Sequence, residues 1–235
     1  MASPLLRIGT RGSKLALTQT GLVRDALAAA HPALATPGAI EIVVIKTTGD
    51  AIQDRPLSEA GGKGLFVKEI EEAMLSRRID AAVHSMKDMP TAQPDGLAIT
   101  AFLPREDARD VLIAGDIHRI ADLRKGAIVG TSALRRRAQL LHRRPDLQIV
   151  NLRGNVDTRL AKRERGEVEA TLLALAGLNR LGISVGAPVP EDEMLPAVGQ
   201  GAVCIECRSD DTETRALLAA INHVPTQVAV AAEHA

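Results

Sequence analysis

Tryptophan and tyrosine are missing from this chain, and phenylalanine occurs only twice. A protein that grips single-stranded nucleic acid stacks the bases on aromatic rings, so that class has no platform here. Nor is there a surplus of charge: Lys and Arg together number 29, Asp and Glu 29, and the formal net charge is zero. Neither nucleic acid nor an anionic membrane is therefore expected as a partner, and any anion site must be a local concentration of base. No apolar run reaches the length of a membrane span, and Met1-Ala2-Ser3-Pro4 has neither the charged start nor the apolar core of a secretion signal, so a cytoplasmic location is expected. Cysteine is down to Cys204 and Cys207. Their spacing imitates a redox or metal motif, but they fall in the run Val203 to Cys207, where residues three apart on a strand point to opposite faces. They read as small buried side chains, and no metal is expected.

What the chain does have is apolar content, 46% of 235 residues, enough for one large core or two modest ones. The pattern favours two lobes. A strand from Leu5 to Ile8 breaks at Gly9-Thr10-Arg11-Gly12-Ser13 and enters a helix whose apolar face is read as Leu15, Leu22, Ala26 and Ala29. Ser13 is placed to cap that helix, and the free N–H groups at its start favour an anion. Ile40 to Ile45, almost wholly apolar, reads as a parallel strand covered on both faces. Between Thr47 and Lys63 the periodicity lapses among Gly49, Asp50, Pro56, Gly61 and Gly62, a length more typical of a lid than of a connector. Lys63, framed by glycines, is easily set against an anion. Val67, Ile70 and Met74 then mark a helix and Ala81 to Val83 a buried strand. His84-Ser85-Met86-Lys87-Asp88-Met89-Pro90 reads as a loop at that strand's carboxyl end, where open α/β sheets hold their ligands.

After the strand Leu97 to Phe102 the organisation breaks near Pro104-Arg105-Glu106-Asp107 and restarts. Strand Ala127 to Val129, the turn Gly130-Thr131-Ser132 and a helix with Arg135, Arg136 and Arg137 echo Ile8-Gly9-Thr10, so each lobe is expected to present a helix start to a shared cleft. Strand Leu147 to Val150 leads to Arg153-Gly154-Asn155 and a helix bearing Arg159, Lys162, Arg163 and Arg165. The last three read as a solvated face. Arg135, Arg136, Arg153 and Arg159 differ, because they lie near helix starts, where the dipole disfavours cations unless an anion compensates. A strand Ala170 to Leu175, a turn Ala176-Gly177-Leu178, a polar Pro-rich stretch from Gly186 to Pro196 and a strand reopened at Gly199-Gln200-Gly201 complete the pattern. Crossings near residues 103 and 199 would form a hinge. The expected class is α/β, two hinged lobes resembling the type II domains of periplasmic binding proteins: residues 1–103 with 199–222, residues 104–198, and 223–235 as the start of a truncated third domain.

The loop 84–90 resembles the active-site signature of the porphobilinogen deaminases, and four further blocks agree in order: Gly61 to Glu69, Gly130 to Arg136, Leu152-Arg153-Gly154-Asn155-Val156 and Leu195 to Ala202. The resemblance implies an enzyme of tetrapyrrole biosynthesis that expels ammonia from porphobilinogen and joins four units head to tail as hydroxymethylbilane. It implies that Arg11, Lys63, Lys87, Arg135, Arg136, Arg153 and Arg159 hold the acetate and propionate arms, with Ser13, Thr131, Ser132 and Gln200 assisting. Asp88, kept ionised by Lys87, would stabilise the cationic azafulvene and the charge on the pyrrole nitrogens. Ala133 departs from the pattern, since many members carry a second serine there. The family's cofactor is dipyrromethane, held covalently by a cysteine of the third domain, and neither Cys204 nor Cys207 matches that context. The resemblance thus implies a monomeric chain with the pyrrole site present, the anchor absent and turnover impaired. A two-lobed binding module for small carboxylates, without catalysis, stays open; it would share the helix starts but has no need of Asp88.

Overall fold

The computed structural model describes residues 4–51 and 65–235. Two five-stranded sheets carry the chain. The first contains β1 (Leu6–Thr10), β2 (Ile40–Val44), β3 (Ala81–Ser85), β4 (Leu97–Phe102) and β10 (Val203–Arg208), in the order β2-β1-β3-β10-β4. The second contains β5 (Asp110–Ile113), β6 (Ile128–Gly130), β7 (Gln148–Val150), β8 (Ala170–Ala174) and β9 (Ala187–Pro188), in the order β7-β6-β8-β5-β9. The three strands at one side of each sheet run parallel, and the fourth position is antiparallel to both of its neighbours in the second sheet and to β3 and β4 in the first. That fourth strand is in each case the one entered straight from the other sheet: β4 leads across to β5, and β9 leads back to β10. The winding is therefore the same twice over, as the repeated Gly-Thr turns suggested.

The two crossings lie side by side. Leu103 N–H donates to Val203 at 3.1 Å and Glu106 N–H to Gly201 at 3.2 Å, while Arg105 Nε reaches the Gln200 carbonyl at 2.9 Å. Gly201 has φ +89°, and a Cβ there would meet the Glu106 carbonyl oxygen at 2.3 Å, so close backbone approach requires glycine.

Helices cover the sheets: α1 (Lys14–Ala30), the short α2 (Thr48–Ala51), α3 (Lys68–Leu75), α4 (Leu134–Arg143), α5 (Val156–Glu164), α6 (Leu175–Arg180), α7 (Thr212–Ala219) and α8 (Val224–Glu233). Leu6, Ile8, Val23, Leu27, Ile70, Met74 and Ile205 fill the main core of the first sheet; Leu112, Val129, Leu140, Leu172 and Met194 fill that of the second. Each such side chain contributes roughly 1.5–3 kcal/mol through burial. The segment at 223–235 forms α8, started by His223, whose Nδ1 accepts from Thr226 N–H, and packed against β4.

Three expectations change. The buried face of α1 is Ala16, Gln19, Thr20, Val23 and Leu27, while Leu22 is exposed. Polar side chains can face inward there because Thr20 Oγ1 donates to the Ala16 carbonyl and Gln19 bonds Ser85. β2 is parallel but lies at the edge, with Glu41 and Val44 exposed, so it is not covered on both faces. Ala176-Gly177-Leu178 is not a turn but the middle of α6, buried because α6 packs on α1.

Candidate active site between the two sheets

Three helix starts and one loop face a cleft of about 840 Å³ between the sheets. From the first sheet, β1 ends in Arg11-Gly12-Ser13, and the Ser13 hydroxyl caps α1 by accepting from Ala16 N–H at 3.3 Å. From the second, α4 starts without a side-chain cap at Ala133, and α5 starts at Asn155, whose Oδ1 accepts from Thr158 N–H at 2.8 Å. The loop is a single 3-10 turn, Met86–Asp88, that follows β3.

Arg11, Ser13, Lys87, Asp88, Ser132, Arg135, Arg136, Arg153, Arg159 and Gln200 all line this one cleft. Arg11 Nη1 lies 3.9 Å from Asp88 Oδ2, and its guanidinium stacks over the Phe66 ring at 4.1 Å. Lys87 is open to the cleft yet enclosed by its walls. Desolvation lowers its pKa to about 8, opposed by Asp88 and then reinforced by Arg136. Burial likewise lowers Arg159 to about 10, with Arg136 and Arg153 adding repulsion. Arg159 also donates from Nε to the Gly154 carbonyl at 2.8 Å, which sets its direction at the head of α5.

Other expected residues sit differently. Lys63 lies outside the described residues. Thr131 is buried, and its hydroxyl accepts from Ala133 N–H at 3.2 Å, so it shapes the turn before α4 and does not line the cleft. His84 and Ser85 belong to β3, not to the loop. His84 is turned into the protein, where Nε2 meets Glu206 Oε2 at 3.2 Å, and Ser85 faces the cleft and bonds Gln19.

Arg135 and Arg136 show the largest departure. The anion that offsets them at the head of α4 is internal. Asp110, wholly buried, accepts from Arg135 Nη2 at 2.7 Å, from Arg136 Nη2 at 2.8 Å and Nε at 3.2 Å, and from Gln200 Nε2 at 2.8 Å. Arg136 spends a further donor on the Leu172 carbonyl at 2.9 Å. Burial alone would push the Asp110 carboxyl up, but Arg136 and Arg135 outweigh it and hold it below the usual range. Sequence reasoning missed Asp110, although the run Val111-Leu112-Ile113-Ala114 before Gly115 carries a strand signal that would have placed it. It also missed Arg180, which reaches from α6 to the Gly201 carbonyl at 2.7 Å and lines the same cleft.

A family model described as porphobilinogen deaminase, dipyromethane cofactor binding domain, matches residues 6–216. The chain belongs to the porphobilinogen deaminase family. Relatives in the family include the porphobilinogen deaminase of Paracoccus denitrificans (strain Pd 1222), 58% identical over 98% of this chain and 74% of that protein. The chloroplastic porphobilinogen deaminase of Oryza sativa subsp. japonica is 55% identical over 97% of this chain and 64% of that protein. Among solved structures, the periplasmic VFT2 domain of Bordetella pertussis BvgS aligns with a TM-score of 0.52 at 15% identity, over 97% of this chain and 92% of that one. A periplasmic binding protein of Salmonella typhimurium with high arginine specificity aligns with a TM-score of 0.50 at 13% identity, over 98% of this chain and 94% of that one. At such identities the likeness shows the fold alone, that of the periplasmic binding proteins. Among the described residues no helix is long and apolar enough to cross a membrane, and no group of three or more His, Cys, Asp or Glu could hold a metal ion.

Proposed function

We propose that the cleft carries out the deaminase chemistry: release of ammonia from porphobilinogen and head-to-tail joining of four units to hydroxymethylbilane. The observation that supports this is the convergence of Arg11, Lys87, Arg153 and Arg159, from both sheets, around the carboxylate of Asp88. Every pyrrole unit brings an acetate and a propionate, and guanidinium groups take carboxylates with two parallel N–H donors. Ser13 and Ser132 add neutral donors beside the starts of α1 and α4. Lys87 and Arg159 are held down by burial and by like charge, and an arriving carboxylate relieves both effects. Asp88 has the opposite task. Positive charge reaches the pyrrole nitrogen when ammonia leaves the aminomethyl carbon, and again when the next ring attacks that carbon. A fixed carboxylate beside the nitrogen stabilises both states and can take the proton that is lost.

Dipyrromethane, the family's cofactor, supplies when bound the primer to which rings are added. The donors of the cleft fit it, since it too presents carboxylate arms to Arg11, Arg153, Arg159 and Lys87. The thiols do not fit a covalent anchor: Cys204 and Cys207 are wholly buried on opposite faces of β10, and burial pushes both thiols up. Residues 1–103 with 199–222 and residues 104–198 serve as two lobes that close on the ligand about the paired crossings.

Calorimetric titration of the 235-residue chain tests this reading. Porphobilinogen is expected to bind and a free amino acid not to. Equal affinity for the two, or binding of sulfate alone, would refute it.

A further inference from the structure

Asp110 opens β5, the strand into which the first crossing runs. Its strand pairing does not use the carboxylate: Asp110 pairs with Ala174 in the backbone ladder, and its carbonyl accepts from Val189 N–H at 2.8 Å. The carboxylate, with no exposed surface, instead gathers donors from two directions, Arg135 and Arg136 on α4 and Gln200 on the second crossing. Gln200, itself buried, donates also to the Ala108 carbonyl at 2.6 Å, and its Oε1 accepts from Lys87 Nζ at 3.4 Å. The network therefore runs from the second sheet, through the crossing, to the lysine next to Asp88.

We propose that Asp110 is a positioning residue: an internal anion that aims Arg135 and Arg136 and, through the amide of Gln200, holds Lys87, so that the cleft selects a spacing of carboxylates and not negative charge in general. This rests on the reading that the cleft takes porphobilinogen. Arg135 and Arg136 occupy the first turn of α4, where the helix dipole repels them, and long cations there swing towards solvent unless something holds them. Asp110 holds both on one side, while Arg135 Nη1 donates to the Leu195 carbonyl and Arg136 Nη1 to the Leu172 carbonyl on the other, so each guanidinium is fixed in plane and the N–H donors left over keep one direction. Burial of the carboxylate keeps the pairing geometry rigid, because its oxygens have no water to turn to.

Neutralising Asp110 separates aim from charge. Asp110→Asn adds one unit of net positive charge to the cleft walls. Were Asp110 only a counter-charge, its loss would tighten every anion. As a positioning residue, its loss weakens porphobilinogen about tenfold or more, while inorganic sulfate binds as before or tighter. Calorimetry with both anions on parent and variant reads this directly. The second readout needs no ligand: the Lys87 ammonium, followed by nitrogen-15 NMR, is expected to titrate at lower pH in the variant, because the Asp110 charge no longer favours the protonated form. Tightening of both anions together, or unchanged porphobilinogen affinity with an unmoved Lys87 titration, overturns the proposal. If the parent chain itself fails to bind porphobilinogen, the functional reading falls, and the Arg136 Nε–H still decides about Asp110: its protection from exchange is lost in the variant if Asp110 holds the guanidinium and kept if Asp110 is only a counter-charge. Should Asp110→Asn not fold, Gln200→Met spares the Asp110–arginine pairs while removing the Gln200 bonds to Lys87, to Asp110 and to the Ala108 carbonyl; weaker porphobilinogen binding with a lowered Lys87 titration supports the network, and no change in either refutes it.

Discussion

Lys87 loses its proton near pH 8, where a lysine at the ordinary value of 10.5 is still fully charged. Two consequences have opposite signs. For stability, the folded value lies below the unfolded one, so between about pH 8 and 10.5 the unfolded chain holds the extra proton and Lys87 contributes a rise in stability as pH climbs through that window. For ligands the direction reverses, because the cation is what a carboxylate needs. Affinity for porphobilinogen is expected to fall roughly threefold to tenfold between pH 7 and 9, and Lys87→Arg, charged throughout, should flatten the profile when measured by calorimetry. Asp88 is tested by turnover. In the chain joined to the part of the Paracoccus protein that it does not span, Asp88→Asn should lower ammonia release by about 10²–10³ while porphobilinogen affinity changes little, as expected when a stabiliser of developing charge is removed. Near-normal ammonia release would take Asp88 out of the reaction.

At the scale of elements, α8 is tied to the crossings near both of its ends, at Thr226, whose Oγ1 accepts from Arg105 N–H at 3.0 Å, and at Glu233. Glu233 pairs with the Arg105 guanidinium, and its Oε2 accepts from Gly199 N–H at 2.8 Å; Arg105 in turn bonds the Gln200 carbonyl. The Arg105 pairing holds the Glu233 carboxyl below its usual range. Glu233→Gln keeps the size of the side chain and loses the charge. Exchange of the Gly199 amide with deuterium should accelerate about tenfold in the variant, with the cores of both sheets unaffected, because only a local opening is eased. Equal protection in parent and variant would show that Glu233 does not brace the second crossing. α6 plays a matching part from the other side: Arg180 bonds the Gly201 carbonyl, and Asn179 Nδ2 reaches Glu106 Oε2 at 2.7 Å.

The whole molecule depends on how closely its two crossings run. Gly201 permits that approach, with positive φ and no room for a Cβ against the Glu106 carbonyl. Gly201→Ala is expected to destabilise the chain by about 2 kcal/mol and to weaken porphobilinogen binding as well, because Gln200 beside it carries the bond to Lys87. Urea denaturation and calorimetry on the same preparation check both effects. Loss of stability with untouched binding would separate the crossing from the cleft.

Much of this architecture was legible in the residues themselves. The Gly-Thr pairs at the ends of β1 and β6, the cap at Ser13 and the apolar runs of β3 and β8 are local signals, set by backbone freedom and side-chain chemistry within a few positions, and they located the strands and the loop of Asp88, although β1 runs on through Gly9 and Thr10 and β3 through His84 and Ser85. The order of blocks was enough to indicate the family. What local pattern could not supply was decided by packing. Whether β2 lies inside or at the edge depends on which strands the rest of the chain places beside it. The phase of α1 turned on polar groups that find partners only in the fold, Gln19 with Ser85 and Thr20 with a carbonyl of its own helix. The arginines of α4 correctly signalled a compensating anion, but the sequence could not say that it would be Asp110, some 25 residues earlier in the chain. A helix dipole and a cation make a local imbalance that sequence can register; the charge that settles it arrives through space, by the crossing that brings β5 beneath α4.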